Sequence, residues 1–172
     1  MPDRPQDLGF TGGGTRYVSI AASAALSDST AETILDSVTF AANELKAGDV
    51  IEVIAAGIAT ATTSSDTITG KIKLGATIIS AVVGPDGTNG DAWQLHAFIT
   101  IRTDGASGTL VATSTVVNGA IGTATAKQYI LASTAVVTTG TLVLAHTGTW
   151  SAASASDSAP GATFIVKIHR PA

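Results

Sequence analysis

The chain consists almost entirely of short apolar runs separated by clusters of Gly, Asp, Asn, Ser and Thr. Such runs are typical of β-strands, and their regular spacing is typical of a sandwich or barrel. Parallel strands need long crossover connections, usually helices, and the chain has no segments suited to them. The pattern therefore predicts an all-β, antiparallel sandwich. The predicted strands are Tyr17–Ala22, Thr33–Phe40, Val50–Ala59, Thr67–Leu74, Thr77–Val83, Trp93–Thr103, Thr109–Val117, Gln128–Val137, Gly140–Thr147 and Thr163–Arg170.

The stretch WQLHAFITIRT, residues 93–103, shows how such a strand divides into two faces. Its odd-numbered positions up to 101 carry Trp, Leu, Ala, Ile and Ile, whereas the even-numbered positions include His96 and Arg102. One face therefore belongs to a core and the other to a wetter surface. Trp93 and Trp150 are both predicted to anchor that core, because the other apolar side chains are mostly small. For Trp150 an exposed ring is the alternative, because TGTWSAAS ends a strand.

Size and charge limit what the chain can do. Its 172 residues suit one domain with its own core. The absence of cysteine excludes disulfides and thiolate chemistry. A net charge of −4 without clustered Lys and Arg argues against a nucleic-acid partner. No apolar run reaches the roughly 20 residues of a membrane span, and the N-terminus lacks the apolar core of a secretory signal.

The N-terminal stretch MPDRPQDLGFTGGGTR differs from the rest of the chain. It combines two prolines and four glycines with four charged residues. Proline and glycine at that density predict an extended arm rather than a packed element. The predicted organisation is therefore an arm over residues 1–16, followed by a single β-sandwich domain over residues 17–172.

Patterns that would indicate catalysis or metal binding are weak. His96, His146 and His169 lie in separate predicted strands and form no H-x-H or H-E-x-x-H pair. Ser107 lies between glycines, but the spacing is not that of a nucleophile elbow. The stretch Gly84–Asp91 offers several oxygen ligands for calcium but has no closing glutamate, so a turn is favoured. The sequence predicts no enzymatic activity and no cofactor.

Charges gather most closely in ANELKAGDVIEVIAAG, Ala42–Gly57. We interpret this stretch as a turn that leads into a strand. Gly48 supplies the positive φ that tight turns often need, and the side chain of Asp49 is placed to bond the backbone of the turn. Glu52 is expected to point outward at a strand edge, without a partner carboxylate.

The basic side chains are the candidates for a contact surface. Four of them lie on outward positions of predicted strands, and two lie in the arm. They either contact a partner or protect exposed strands from edge-to-edge pairing; the sequence leaves both interpretations open. The candidates are Arg4, Arg16, Lys71, Lys73, Arg102 and Lys167.

A longer layout runs through TILDSVTFAANELKAGDVIEVIAAGIAT (Thr33–Thr60), GKIKLGATIIS, WQLHAFITIRTDGASGTLVA and TWSAASASDSA (Thr149–Ala159). It consists of a strand ending in TFAANELKAGD, a K-x-G-x-T hairpin and a Trp-led strand before Asp-Gly-x-x-Gly. This layout resembles that of tailed-bacteriophage virion proteins with jelly-roll sandwich domains, which decorate capsids or form fibres. The resemblance covers most of Thr33–His169, and residues 1–32 match no pattern.

The resemblance implies a virion structural protein without an active site, usually a homotrimer. The leading hypothesis is a capsid decoration, or cement, protein that binds the major capsid protein and copies of itself, with the arm as a tether. Its expected location is the capsid surface, after synthesis in the bacterial cytoplasm. One alternative is a head or tail fibre module that contacts the host receptor. Another is a carbohydrate-binding domain, which an aromatic content of 5% disfavours.

Overall fold

The computed structural model describes residues 14–23, 25–60, 66–86, 90–119 and 124–171. The arm residues 1–13, with Arg4, lie outside the described residues. The described ranges contain strands and turns, and they include no helix of sufficient length and apolarity to cross a membrane. The strands are β1 (Gly14–Val18), β2 (Thr33–Phe40), β3 (Val50–Ala59), β4 (Thr67–Leu74), β5 (Thr77–Asp86), β6 (Asp91–Thr103), β7 (Thr109–Gly119), β8 (Thr125–Ala135), β9 (Leu142–Trp150) and β10 (Gly161–His169).

The strands form two antiparallel sheets. The six-stranded sheet has the order β1-β10-β3-β6-β7-β8, and the four-stranded sheet has the order β2-β9-β4-β5. Their inner faces share one cluster of buried apolar side chains drawn from both sheets. The predicted all-β antiparallel sandwich is therefore confirmed, whereas the jelly-roll arrangement of its strands stays a prediction.

The predicted strands all exist, but several boundaries differ. β2, β3 and β4 have the predicted bounds. The first strand begins earlier than predicted, because Gly14 pairs with Ile168 of β10 although its own segment is polar. The ninth strand ends later, because Trp150 pairs with Ile68 of β4. Backbone pairing with a neighbouring strand thus decided these ends, and it places Arg16 inside β1.

The predicted core face of β6 is confirmed by its alternating burial. Trp93 and Trp150 are each only 1% exposed, as expected of core anchors. The indole of Trp150 donates a 3.0 Å hydrogen bond to the carbonyl of Leu26, which satisfies its single polar group. The indole of Trp93 lies between Gly57 and Gly70, where no Cβ occupies the space that the ring needs.

The turn predicted before β3 is also confirmed. Gly48 has a φ of +94°, a conformation that glycine adopts without strain. The carboxylate of Asp49 accepts a 2.9 Å hydrogen bond from the backbone N–H of Lys46. Asp49 is 1% exposed, so this acid is a buried part of the turn and is not available to a ligand.

Candidate functional site

Glu52 is the centre of a charged cluster on the outer face of the six-stranded sheet. The Nε2 atom of His96 lies 3.1 Å from one carboxylate oxygen, and Nε2 of His169 lies 3.2 Å from the other. The ammonium of Lys167 is 3.7 Å from the second oxygen. We call Glu52, His96, Lys167 and His169 the Glu52 cluster. The expectation that Glu52 lies at a sheet edge is wrong, because β3 lies between β10 and β6.

Burial of Glu52 acts to raise its pKa, while the hydrogen bonds from His169 and His96 and the charge of Lys167 lower it. The lowering effects prevail, so the pKa of Glu52 lies below its ordinary value. A carboxylate held in its charged form by three partners is a weak proton acceptor near neutral pH. Glu52 is therefore a charged member of a network of ion pairs and hydrogen bonds, and its lowered pKa does not suit a general base.

The Glu52 cluster also differs from a metal centre. Glu52 pairs across the sheet with Lys167 and Phe98, whereas His169 pairs with Val50 and His96 with Ile54. The two histidines therefore approach the carboxylate from diagonally opposite sides and meet different oxygens. Within the described residues, no group of three or more His, Asp or Glu side chains is placed to hold one metal ion.

A second cluster lies on the outer face of the four-stranded sheet and is centred on Glu32. One carboxylate oxygen of Glu32 is 2.9 Å from the ammonium of Lys73 and accepts a 2.8 Å hydrogen bond from the hydroxyl of Thr147. The other oxygen is 3.1 Å from the ammonium of Lys71. The hydrogen bond from Lys73 is the largest cause that lowers the pKa of Glu32, to about 2.

The Glu32 cluster closes one end of a shallow groove that runs above β9. The groove has a volume of about 390 Å³. β9 lies between β2 and β4, and the side chains that it places in the groove are small ones, Val143, Ala145 and Thr147. We call this the β9 groove; its lining residues are Glu32, Ile34, Lys73, Gly75, Val143, Ala145 and Thr147.

The structure distributes the predicted basic residues over separate surfaces. Lys71 and Lys73 lie on β4, in the four-stranded sheet, whereas Arg102 and Lys167 lie on β6 and β10, in the six-stranded sheet. Arg16 lies on β1 and forms a 3.2 Å ion pair with Glu44. These residues therefore do not make a single basic surface.

β8 extends beyond the opposite sheet. It pairs with β7 along one edge and with no other described strand along its second edge. Every residue of β8 is exposed except Leu131 and Thr134, which are partly buried. Two large apolar side chains are among the exposed ones, Tyr129 at 42% and Ile130 at 79%. An unpaired strand of this kind is a template for pairing with another chain.

His146 is an ionisable residue buried in the core. It is fully buried, and burial lowers its pKa to about 4. Its Nε2 atom accepts a 3.3 Å hydrogen bond from the indole N–H of Trp93, so the neutral ring carries its proton on Nδ1. That Nδ1 atom has no hydrogen-bond partner among the described residues. His146 is therefore packed in the core and makes one hydrogen bond there.

Comparison with models of known protein families and with curated proteins finds no match to the chain.

Sequence reasoning missed both charged clusters. His96 and Glu52 are 44 residues apart in the chain, and His169 and Glu52 are 117 apart. The available signal was that these three residues occupy outward positions of their strands. That signal places them on an outer surface, but it does not say which strands are neighbours.

Proposed function

We propose that the chain is a non-enzymatic virion structural protein, namely a decoration protein that binds the head shell of a tailed phage and stabilises it. In this proposal it assembles as a homotrimer of jelly-roll sandwiches on the capsid surface. The sequence resemblance supports the class of protein, and the exposed β8 strand supports an assembly role.

The observation that most supports the proposal is that β8 extends beyond the opposite sheet and is exposed. A strand that is exposed on both faces and along one edge buries little apolar surface in a monomeric sandwich. Soluble proteins usually protect such edges with charges, prolines or a covering loop. Exposed Tyr129 and Ile130 also belong to the residue types that fill protein–protein interfaces. If another subunit covers β8, both the unpaired edge and the exposed apolar side chains are explained.

The charged clusters support a structural rather than a catalytic role. Two lysines hold Glu32 as a carboxylate, and Lys167 together with hydrogen bonds from two histidines does the same for Glu52, so each glutamate has a lowered pKa. Acid–base catalysts need pKa values near the working pH. The ion pairs instead link neighbouring segments on the outer face of each sheet separately.

Replacing Ile130 with aspartate tests the role of β8. We expect the variant to sediment as a monomer and to bind head shells at least tenfold more weakly, because a buried, unpaired carboxylate in an interface costs well over 1.4 kcal/mol. Ile130 is 79% exposed in the single chain, so folding should be unaffected. Analytical ultracentrifugation and co-sedimentation with shells measure the two effects.

Ile20→Asp is the matched control, because Ile20 is 84% exposed and lies outside β8. It should keep the oligomeric state and shell binding. If the wild-type chain is monomeric and does not bind head shells, the proposal is contradicted. Binding to host cells or glycans without shell binding would instead favour the fibre or carbohydrate-binding alternative.

Deleting residues 1–13 tests the predicted tether. The sheet begins at Gly14, and Arg16 pairs with Glu44, so a cut after residue 13 leaves both in place. We expect the shortened chain to fold with the same circular dichroism spectrum and to lose shell binding. If it binds shells as tightly as the full chain, the arm is not a tether.

A further inference from the structure

Asp36 of β2 and His146 of β9 are direct neighbours across the four-stranded sheet. Opposite residues of an antiparallel pair have Cβ atoms about 5 Å apart, and their side chains leave the same face. Here that face is the core side, because His146 and Leu144, two positions before it on β9, are both fully buried. The two polar side chains therefore lie next to each other between the sheets.

The carboxylate of Asp36 reaches the opposite sheet. A Cβ at Gly161 of β10 would lie 3.2 Å from its Oδ2 atom. The hydroxyl of Tyr17 on β1 donates a hydrogen bond to the same carboxylate. The Oδ2 atom is shielded from solvent and has no hydrogen-bond partner among the described residues. One oxygen of Asp36 is thus a buried polar atom that remains to be satisfied.

His146 presents the complementary group. Its Nε2 atom accepts the indole N–H of Trp93, so the proton of the neutral ring lies on Nδ1. The ring is stacked with that of Phe164, with centroids 6.3 Å apart and planes 19° apart. In the described part of the chain, this buried Nδ1–H donor has no acceptor. Packing and the indole bond therefore fix a donor that points away from Trp93.

Buried polar atoms of proteins are almost always hydrogen-bonded, either to protein groups or to ordered water. No direct hydrogen bond joins Oδ2 of Asp36 to Nδ1 of His146, since each atom is without a partner among the described residues. An internal water typically makes about three hydrogen bonds, and it can accept from one group while it donates to another. One water can therefore satisfy both atoms at once.

We propose that Asp36 and His146 bind one internal water molecule between the two sheets. The water accepts the Nδ1–H of His146 and donates to Oδ2 of Asp36. It completes a hydrogen-bonded chain from Tyr17 through Asp36 and His146 to Trp93. Tyr17 and Trp93 belong to the six-stranded sheet and the other two to the four-stranded sheet, so the chain connects the sheets at both ends. This inference does not depend on the capsid role, and each can fail separately.

A crystal structure of the full chain tests the proposal directly. We expect a water oxygen within about 3.2 Å of both Nδ1 of His146 and Oδ2 of Asp36. A direct hydrogen bond between the two side chains overturns the proposal. A water that contacts only one of them, or no water beside either, also overturns it.

Rotating-frame NMR on protein with isotope-labelled histidine gives an independent measurement in solution. We expect the Nδ1–H proton of His146 to show a dipolar cross peak to water, opposite in sign to a peak from chemical exchange. His146→Gln identifies the signal by removing it. The side chains of His96 and His169 are 36% and 50% exposed, so their ring protons exchange with solvent. An exchange peak alone, or no peak to water, contradicts the bound water.

Two substitutions show whether Asp36 is the second ligand of the water. Asp36→Leu should abolish the dipolar cross peak while the ring N–H signal of His146 persists. Tyr17→Phe is the matched control, because it removes the hydroxyl that bonds Asp36 but leaves Oδ2 in place, and it should keep the cross peak. A cross peak that survives Asp36→Leu overturns the proposed bridge. If Asp36→Leu does not fold, the two measurements on the wild-type chain decide the question.

Discussion

Gly57→Ala is expected to lower the free energy of unfolding by roughly 3 kcal/mol or more, the upper end of the usual range for an overpacked core. A Cβ at position 57 would overlap the six-membered part of the Trp93 indole. The ring has little freedom to move away, because its N–H is bonded to His146 and its pyrrole edge lies against Gly70. Urea unfolding followed by tryptophan fluorescence measures the loss.

Gly140→Ala is the control, because a Cβ at Gly140 meets nothing within 4 Å. It should change the unfolding free energy by less than about 0.5 kcal/mol. Combining Gly57→Ala with Trp93→Leu should cost less than the sum of the two single changes, because the smaller side chain removes the clash. If the two changes in unfolding free energy are fully additive, Gly57 is not needed to make room for the Trp93 ring.

Acidification is expected to remove roughly 3 kcal/mol of stability between about pH 6.5 and pH 4 through His146 alone. In the unfolded chain this histidine binds a proton with its ordinary pKa of 6.5, whereas burial lowers the pKa to about 4 in the fold. Between the two values the unfolded state holds more protons. Stability from this residue is therefore complete above pH 6.5 and is lost as the pH falls.

His146→Gln separates this effect from other titrations. Glutamine can still accept the hydrogen bond of Trp93 but does not ionise, so the variant should show a flatter loss of stability across this range. Parallel pH profiles for the wild type and His146→Gln would contradict the assignment.

Glu32 contributes in a lower pH range. Its pKa is lowered from 4.5 to about 2, so the stability it provides is complete above about pH 4.5 and is lost as the pH falls toward 2. The histidine and glutamate effects therefore follow one another along an acid titration. Urea unfolding at several pH values should show most of the histidine effect above about pH 4.5 and the glutamate effect below it.

Much of the fold was predictable because its strongest signal is local. In β6 and β10, alternate residues are apolar, and each strand places that face in the core. The same alternation put His96 and Lys167 on outward positions. A pleated backbone sends successive side chains to opposite sides whatever its neighbours are, so one strand is enough to predict both faces.

Strand ends were less predictable, because hydrogen bonds to a neighbouring strand extend β-structure into polar sequence. β1 begins at Gly14 in a polar, glycine-rich stretch and is held there by β10. Likewise β8 begins at Thr125, which pairs with Asn118 of β7. In both cases the partner strand provides backbone hydrogen bonds, and the side chains of the segment give no sign of this pairing.

By itself, the sequence determined the antiparallel β class, the buried tryptophans and the glycine turn before β3, since each follows from hydrophobic alternation or from backbone freedom within a few residues. Only the tertiary structure decided that Glu52 meets two histidines, that Glu32 meets two lysines and that β8 overhangs its neighbour sheet. Those contacts depend on strand order and register, and both are set by the joint burial of residues far apart in the chain.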